Sequence, residues 1–147
     1  MLQRVSLRPA TIKDAEFVFL VKKAALGEYI AQTWGWDEAF QREFHSRDYQ
    51  PEETQIIAFN GQDAGWLVAS ESETECRLDD IYLLPEHQGL GIGSHLIRSL
   101  LADAARKSKP MKLQVLKVNS RARLLYERLG FQVVGETATH HLMEKAS

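Results

Sequence analysis

The stretch that decides the fold runs from Ile81 to Ser94 and reads Ile-Tyr-Leu-Leu-Pro-Glu-His-Gln-Gly-Leu-Gly-Ile-Gly-Ser. It begins with an apolar run of the length of a buried strand, and Pro85 ends the run because proline cannot donate to a β-ladder. An amphipathic helix follows three alternate glycines: Gly89, Gly91 and Gly93. Glycines let a ligand approach the backbone closely, and the free amides at a helix N-terminus attract anions. The stretch therefore predicts a strand, a loop that can hold a pyrophosphate, and a helix.

The sequence of this loop differs from the sequences of two common phosphate-binding loops. A P-loop requires a lysine after its last glycine, and no lysine follows Gly93. The dinucleotide-binding fingerprint requires a different spacing of glycines, and that spacing is not present from either Gly89 or Gly91. The order Gln88-x-x-Gly91-x-Gly93 instead resembles the acyl-CoA pyrophosphate loop of the GNAT acyltransferase superfamily. The alternative interpretation is a glycine-rich turn that binds no ligand.

A second motif lies between residues 119 and 131. It resembles the other hallmark of the GNAT superfamily, whose marked residues match in order: Asn119, Ala122, Leu125, Tyr126, Gly130 and Phe131. Asn119 is a favourable N-cap and Gly130 suits a helix C-terminus, so a helix is expected between them. The two motifs in this succession make the chain similar to the superfamily from residue 54 onward, whereas the resemblance over residues 28–50 is weak.

Hydrophobic periodicity and turn signals predict seven strands, at residues 5–8, 54–59, 62–70, 76–84, 111–118, 131–135 and 140–145. Asn60-Gly61 predicts a hairpin between the second and third of them. Four helices are expected. One is capped by Thr11 and stopped by Gly27, and another is capped by Asp37 and carries Phe40 and Phe44 four residues apart. The resemblance implies an α/β (α+β) fold of GNAT type, in which about four helices flank a mixed, mostly antiparallel seven-stranded sheet. It also implies that the central strands 76–84 and 111–118 splay apart. One N-acetyltransferase domain over residues 1–147 is the expected organisation.

Composition excludes several other classes of protein. The net charge of -2 argues against a nucleic-acid binder with a basic surface, so no nucleic-acid partner is expected. No apolar stretch approaches the ~20 residues of a membrane span, and the N-terminus lacks the core of a signal peptide. Cys76 is the only cysteine, which favours a reducing, cytoplasmic location and leaves no Cys/His spacing typical of zinc. No metal and no membrane partner are expected.

The resemblance implies acetyl-CoA as the co-substrate and assigns residues to it. Backbone amides of the loop would hold the pyrophosphate, from Gln88, Gly89, Leu90, Gly91, Ile92, Gly93 and Ser94. The edge of the strand at Ile81, Tyr82 and Leu83 would pair with the pantetheine arm, which Asn119 would also contact. Tyr126 would protonate the departing thiolate, and a backbone N–H near Leu83 would stabilise the negative charge on the carbonyl oxygen.

The general base is the residue that the resemblance does not identify. Many relatives use a glutamate on one of two strands, but position 114 is Gln here, and an amide cannot act as a base. Strand alternation places Glu75 and Asp79 on one face, and these two are the first candidates. Each could instead be an ordinary surface carboxylate. Further candidates are Asp80, on the other face, and His140 and His141 near the last strand.

Aromatic side chains are concentrated between Glu28 and Gln50, in what resembles a connecting segment. Tyr29, Trp34 and Trp36 are predicted to form one wall of the acceptor pocket, because aromatic faces attract cationic amines. The alternative is that these rings only cover the core.

The predicted function is N-acetyl transfer from acetyl-CoA to a primary amine, by direct attack in a ternary complex. One alternative is a CoA-binding sensor or regulatory module with little catalysis, and another is an interaction domain that uses the aromatic segment. The acceptor stays open between a small-molecule amine and a protein or peptide amine. The chain is expected to act as a monomer or a homodimer.

Overall fold

The computed structural model describes residues 4–147. Its helices and strands follow in the order β1 (Val5–Pro9), α1 (Ala15–Trp34), α2 (Glu38–Asp48), β2 (Gln55–Phe59), β3 (Gln62–Glu71), β4 (Cys76–Leu83), α3 (Ile92–Arg106), β5 (Met111–Leu116), α4 (Ser120–Arg128), β6 (Gln132–Glu136) and β7 (His140–Lys145). The strands form one seven-stranded sheet in the order β1-β2-β3-β4-β5-β7-β6. The described residues thus confirm the predicted mixed sheet with four α-helices.

Antiparallel pairing joins β1 to β2, β2 to β3, β5 to β7 and β6 to β7. The parallel pairing of β4 with β5 comprises Cys76 with Met111 and Arg77 with Lys112. The described residues group into two compact units: residues 4–68 with 80–92 form the first, and residues 69–79 with 93–147 form the second. Strands β3 and β4 each contribute to both units.

The core of the first unit is built from a cluster of buried side chains: Ala10, Val18, Val21, Ile56 and Trp66. The indole of Trp66 donates a hydrogen bond to the carbonyl of Val18 at 3.0 Å, so even the polar atom of this ring is satisfied inside the core. Thr11 and Asp14 form the predicted capping box. It caps a single 3₁₀ turn over Ile12–Asp14 that leads directly into α1.

The predicted helix stop at Gly27 is wrong. Helix α1 continues to Trp34 and ends at Gly35, which has a φ of 83°. Gly27 is buried within the helix, and a Cβ on it would lie 3.7 Å from the ring of Trp36. The glycine therefore does not end the helix, and a methyl group would fit at this position.

The predicted hairpin at Asn60-Gly61 is confirmed, because these residues join β2 to β3 with φ angles of 53° and 81°. Two positive φ angles in a row are typical of the tight turn that Asn-Gly favours. The β2–β3 register then shifts between Ile57 and Ala58. Ala64 is the residue of β3 that the shifted register leaves without a partner in β2, and its carbonyl accepts a hydrogen bond from the amide of Leu84 at 2.9 Å.

The second unit buries apolar side chains from α3, β5, β7 and the residue that precedes β6: Leu96, Ile97, Ala104, Met111, Leu113, Val115, Leu116, Phe131 and Met143. Helix α4 begins as predicted, with the side chain of Asn119 accepting a hydrogen bond from the amide of Ala122 at 3.1 Å. Gly130 has a φ of 100° just after the helix, which is the left-handed position predicted for it. Strand β5 is two residues shorter than expected, since it ends at Leu116 rather than at position 118.

Candidate active site

The glycine loop is shaped by two left-handed residues that precede α3. Gly89 has a φ of 76° and Gly91 a φ of 83°, and α3 begins at Ile92. A Cβ on Gly89 would meet nothing within 4 Å, so a ligand can come close to the backbone there. Ile92 is only 1% exposed and anchors the start of the helix in the core. An exposed backbone beside a fixed helix N-terminus suits the pyrophosphate of acetyl-CoA.

The end of β4 is held by contacts of its own side chains and of Gln88. The ring of Tyr82 packs edge-on against Trp66 with the centroids 5.1 Å apart, and its hydroxyl donates to Asp80 at 3.0 Å. The Nε2 group of Gln88 donates to the carbonyl of Leu83 at 2.9 Å. Gln88 therefore ties the glycine loop to the strand, a role for its side chain that the motif alone did not reveal.

Asn119 and Tyr126 lie at opposite ends of α4 in the second unit. The side chain of Asn119 caps the helix, as described above. The ring of Tyr126 is half-buried and stacks edge-on against Phe131, with the centroids 5.8 Å apart. The amide of Phe131 also donates to the carbonyl of Tyr126 at 3.0 Å. These contacts fix the ring, so the direction of its hydroxyl is set by the end of α4.

The two carboxylates predicted as bases are both held by Arg77. Glu75 accepts from Arg77 at 3.1 Å and from Lys112 at 3.0 Å, and these hydrogen bonds, Lys112 first, lower the pKa of Glu75. Asp79 accepts from Ser70 at 2.7 Å and lies 3.6 Å from the guanidinium of Arg77. A carboxylate that is stabilised as an anion is a weak proton acceptor, so the ion pairs argue against Glu75 in particular.

The two histidines of β7 face opposite sides of the sheet. His140 is paired with Leu116 and His141 with Val115, the neighbouring residues of β5. The Nδ1 atom of His140 lies 2.8 Å from the hydroxyl of Thr139, and burial lowers the pKa of this imidazole. The Nε2 atom of His141 lies 3.3 Å from the guanidinium of Arg123. A guanidinium can only donate, so Nε2 is the acceptor and Nδ1 carries the proton of neutral His141.

The aromatic segment is helical and is not the connection that was predicted. Residues 28–34 form the last part of α1, and most of the remainder is α2. The side chain of Asp37 caps α2 as expected, accepting from the amide of Phe40 at 2.9 Å. The ring of Phe40 stacks on Phe44 at 6.4 Å, which is the predicted contact between residues four apart.

The three predicted acceptor residues have different surroundings in the first unit. Trp34 is 61% exposed, whereas Tyr29 is half-buried within α1. The indole of Trp36 packs near Phe19, with the centroids 6.3 Å apart, and donates to Glu38 at 2.9 Å. Trp36 is therefore bound into the packing of the helices, and Trp34 is the ring with the largest surface for a ligand.

Long-range contacts of α2 were not predicted from the sequence. The guanidinium of Arg42 lies 4.0 Å from the ring centroid of Phe19 and forms an ion pair with Glu16. The Nε2 atom of His45 lies 2.8 Å from the carbonyl of Ala15. These contacts join α2 to the start of α1. They link residues 23 to 30 positions apart, and no local pattern indicates such pairs.

Residues 4–147 contain neither a membrane-spanning helix nor a cluster of metal-binding side chains. No helix in this range is long and apolar enough to cross a bilayer. Within the same range, no group of three or more His, Cys, Asp or Glu side chains is placed to hold a metal ion.

Sequence comparison finds relatives that match part of the chain. Thialysine N-epsilon-acetyltransferase of Bos taurus is 42% identical over 65 residues, which is 44% of this chain and 38% of the relative. The 5-NmdU N-acetyltransferase of Pseudomonas phage PaMx11 is 34% identical over 88 residues, which is 50% of this chain and 61% of the relative. The matches thus span 38% and 61% of the relatives' own lengths.

Structure comparison supports the fold over nearly the whole chain. A PaiA N-acetyltransferase from Thermoplasma acidophilum, solved in complex with coenzyme A, superposes with a TM-score of 0.76 at 18% identity. The superposition covers 97% of this chain and 99% of that one. A sequence model of the acetyltransferase (GNAT) family matches residues 22–131. Because the match extends over most of the chain, including both motifs, this protein belongs to the acetyltransferase (GNAT) family.

Proposed function

We propose that this chain transfers an acetyl group from acetyl-CoA to a primary amine, by direct attack of the amine in a ternary complex. The observation that carries the proposal is the glycine loop, where left-handed Gly89 and Gly91 leave an open backbone beside the N-terminus of α3. Family membership supports it, since the relatives that match are named as N-acetyltransferases.

The backbone of residues 88–94 is the proposed cradle for the pyrophosphate, and the edge of Ile81–Leu83 is the proposed partner of the pantetheine arm. The open space at Gly89 fits this role, because a side chain there would fill the cradle. A backbone N–H near Leu83 would stabilise charge on the carbonyl oxygen as the amine adds. Asn119 would contact the pantetheine arm in addition to capping α4.

Tyr126 is the proposed acid. The amine nitrogen forms a bond to the acetyl carbon, the carbon–sulfur bond breaks, and the sulfur takes the phenolic proton. Packing against Phe131 supports this assignment, because a ring held in one orientation places its hydroxyl reproducibly. The proton that the amine loses must go to a base.

The proposed acceptor is a cationic primary amine that contacts Trp34. An exposed indole face attracts cations, and each such contact contributes ~0.5–2 kcal/mol. The two relatives described above are named for different substrates, a thialysine amine and 5-NmdU, so the family alone does not select the acceptor.

The ion pairs of Glu75 and Asp79 favour a second candidate, a CoA-binding module with little catalysis. Both candidates are tested by measuring coenzyme A affinity by calorimetry and thiol release from acetyl-CoA with a panel of amines. The panel contains polyamines, lysine analogues, aminoglycosides and N-terminal peptides. Acceptor-dependent thiol release supports the enzyme, and binding without release supports the module. A folded protein that does neither would overturn both.

A further inference from the structure

The acetyl transfer proposed above needs a donor that stabilises charge on the carbonyl oxygen, and the backbone amide of Leu83 has that proposed role. The direction of this amide is set by the peptide group that joins Tyr82 to Leu83. This peptide group is trans, so its C=O and N–H bonds point in opposite directions. Whatever fixes the carbonyl of Tyr82 therefore also aims the N–H of Leu83.

The carbonyl of Tyr82 is directed at Gly65 of the neighbouring strand β3. The nearest atom to a Cβ placed on Gly65 would be the carbonyl oxygen of Tyr82, ahead of the Cα and Cδ2 atoms of Leu83 at 3.0 Å. The carbonyl carbon of Tyr82 is no nearer than these two atoms, so the C=O bond runs toward Gly65. The oxygen thus takes the space in which any other residue would carry its side chain, and the N–H of Leu83 points away from β3.

Two hydrogen bonds hold the next peptide group, which joins Leu83 to Leu84. The amide of Leu84 donates to the carbonyl of Ala64, the residue before Gly65, at 2.9 Å. The carbonyl of Leu83 points the opposite way and accepts from the Nε2 group of Gln88 at 2.9 Å. Leu83 therefore presents both its N–H and its C=O on the side of β4 that faces away from β3.

We infer that Gly65 is a positioning residue for the acetyl transfer, an assignment that rests on the proposed function. Because Gly65 has no side chain, the Tyr82 carbonyl can lie against β3, and the Leu83 amide is turned toward the strand edge proposed for the pantetheine arm. Gly65 acts through this peptide group and not by contact with the substrate. A donor aimed in advance at the developing charge is what stabilises an oxyanion.

A methyl group at position 65 would misdirect this amide. It would push the Tyr82 carbonyl away from β3, and the N–H of Leu83 would turn with it because the peptide group is planar. A hydrogen bond weakens steeply as its angle departs from linear, and a misplacement of about 1 Å can cost roughly 10²-fold in rate. The change therefore affects the rate of transfer as well as stability.

The kinetic test compares kcat and coenzyme A affinity in the wild type and Gly65→Ala, with the amine that the panel above identifies. We expect Gly65→Ala to lower kcat by roughly 10²-fold. Coenzyme A affinity in calorimetry should fall by less than about tenfold, because the cradle of residues 88–94 does not include position 65 and at most one hydrogen bond to the donor is weakened. This separation of kcat from affinity is the mark of a group that acts mainly in the transition state.

Ile56→Ala is the control for stability. Ile56 is completely buried in β2, so the change removes core packing of the first unit without adding an atom beside β4. It should lower the melting temperature and keep the wild-type kcat when each protein is assayed below its own melting temperature. A loss of kcat in Ile56→Ala as large as that in Gly65→Ala would assign the effect to stability alone and overturn the role of Gly65.

Nuclear magnetic resonance gives a second measurement that needs no variant. The amide proton of Leu83 in the wild type should move further downfield with acetyl-CoA than with coenzyme A, because only acetyl-CoA carries the thioester carbonyl. The difference should shrink in Gly65→Ala and persist in Ile56→Ala. Should Gly65→Ala fail to fold, the wild-type measurement decides by itself.

The outcomes separate this role from the proposed function. A Leu83 amide that responds equally to acetyl-CoA and coenzyme A would overturn the role of Gly65, and so would a folded Gly65→Ala protein with the wild-type kcat. Both results leave the proposed function intact. A wild type that binds coenzyme A but acetylates no amine would overturn the proposed function and the role of Gly65 with it.

Discussion

Replacing Gly65 by alanine should destabilise the first unit, because β4 passes unusually close to this position in β3. A Cβ on Gly65 would lie 2.1 Å from the carbonyl oxygen of Tyr82 and 3.0 Å from the Cα of Leu83. Both atoms belong to the backbone of β4, so no change of side-chain rotamer can relieve the clash. The backbone of β4 must therefore move by about 1 Å to restore an ordinary van der Waals distance.

The expected loss of unfolding free energy follows from this movement of β4. Overpacking in a well-packed interior costs about 1–3 kcal/mol. The adjacent hydrogen bond from the amide of Leu84 to the carbonyl of Ala64 is 2.9 Å long and would lengthen as β4 moves, which adds about 1 kcal/mol. We therefore expect Gly65→Ala to lower the free energy of unfolding by roughly 2–4 kcal/mol, a large share of the 5–15 kcal/mol typical of natural domains.

Gly27→Ala is the matched control, since it adds the same methyl group with a different result. The new Cβ would lie 3.7 Å from Lys23 and Trp36, an ordinary contact, and the position is helical. Alanine should therefore raise the free energy of unfolding by about 0.5–1 kcal/mol. Urea unfolding followed by tryptophan fluorescence measures both variants. Equal stabilities for Gly65→Ala and the wild type would refute the close approach of β3 and β4.

The remaining predictions concern the proposed site and the pH dependence of stability. Gly91→Glu should abolish coenzyme A binding in calorimetry while the protein stays folded, because it adds bulk and a like charge to the cradle at a residue with a φ of 83°. Tyr126→Phe should lower kcat by roughly ten- to ten-thousand-fold and keep acetyl-CoA affinity, whereas normal turnover would leave the ring as packing only. Trp34→Ala should raise the acceptor KM with stability kept, since Trp34 is 61% exposed, whereas Trp36→Ala should lower the melting temperature. The hydrogen bond from Arg8 lowers the pKa of Asp14, so its stabilisation is present above about pH 4 and is lost as the pH falls through the folded pKa. Asp14→Asn should remove that part of the acid dependence in unfolding measurements.

Local sequence signals predicted most of the fold because they act over a few residues. Asn60-Gly61 specifies a tight turn through two positive φ angles, and Asn119 specifies a helix start through its own side chain. The failure at Gly27 has an equally local origin. A glycine can lie at the end of a helix or inside it, and here α1 continues past Gly27 to Trp34. Because of the same error, the predicted helix was shorter than α1, and the last residues of α1 were predicted to be part of a connection.

The properties of the candidate bases depend on contacts that no local pattern specifies. Glu75 resembles a free carboxylate in the sequence, but its pKa is lowered mainly by Lys112, which lies on another strand. The close approach of Gly65 to Tyr82 is likewise set by how two strands meet. Sequence alternation placed Glu75 and Asp79 on one face, and only the structure revealed that Arg77 neutralises both.

The proposed donor site and the general base differ in the length of sequence that encodes them. The glycine loop and the cap of α4 are each encoded within about a dozen consecutive residues, because backbone conformation and helix capping are local properties. The sheet face that carries Lys112 and Gln114 is encoded by register instead, which places Glu144 and Leu142 of β7 opposite these two residues of β5. Opposed residues on neighbouring strands share a face, so a proton acceptor can move from one strand to the next without altering either motif. A chain can therefore keep both hallmarks of its family while its base lies at a position that neither hallmark contains.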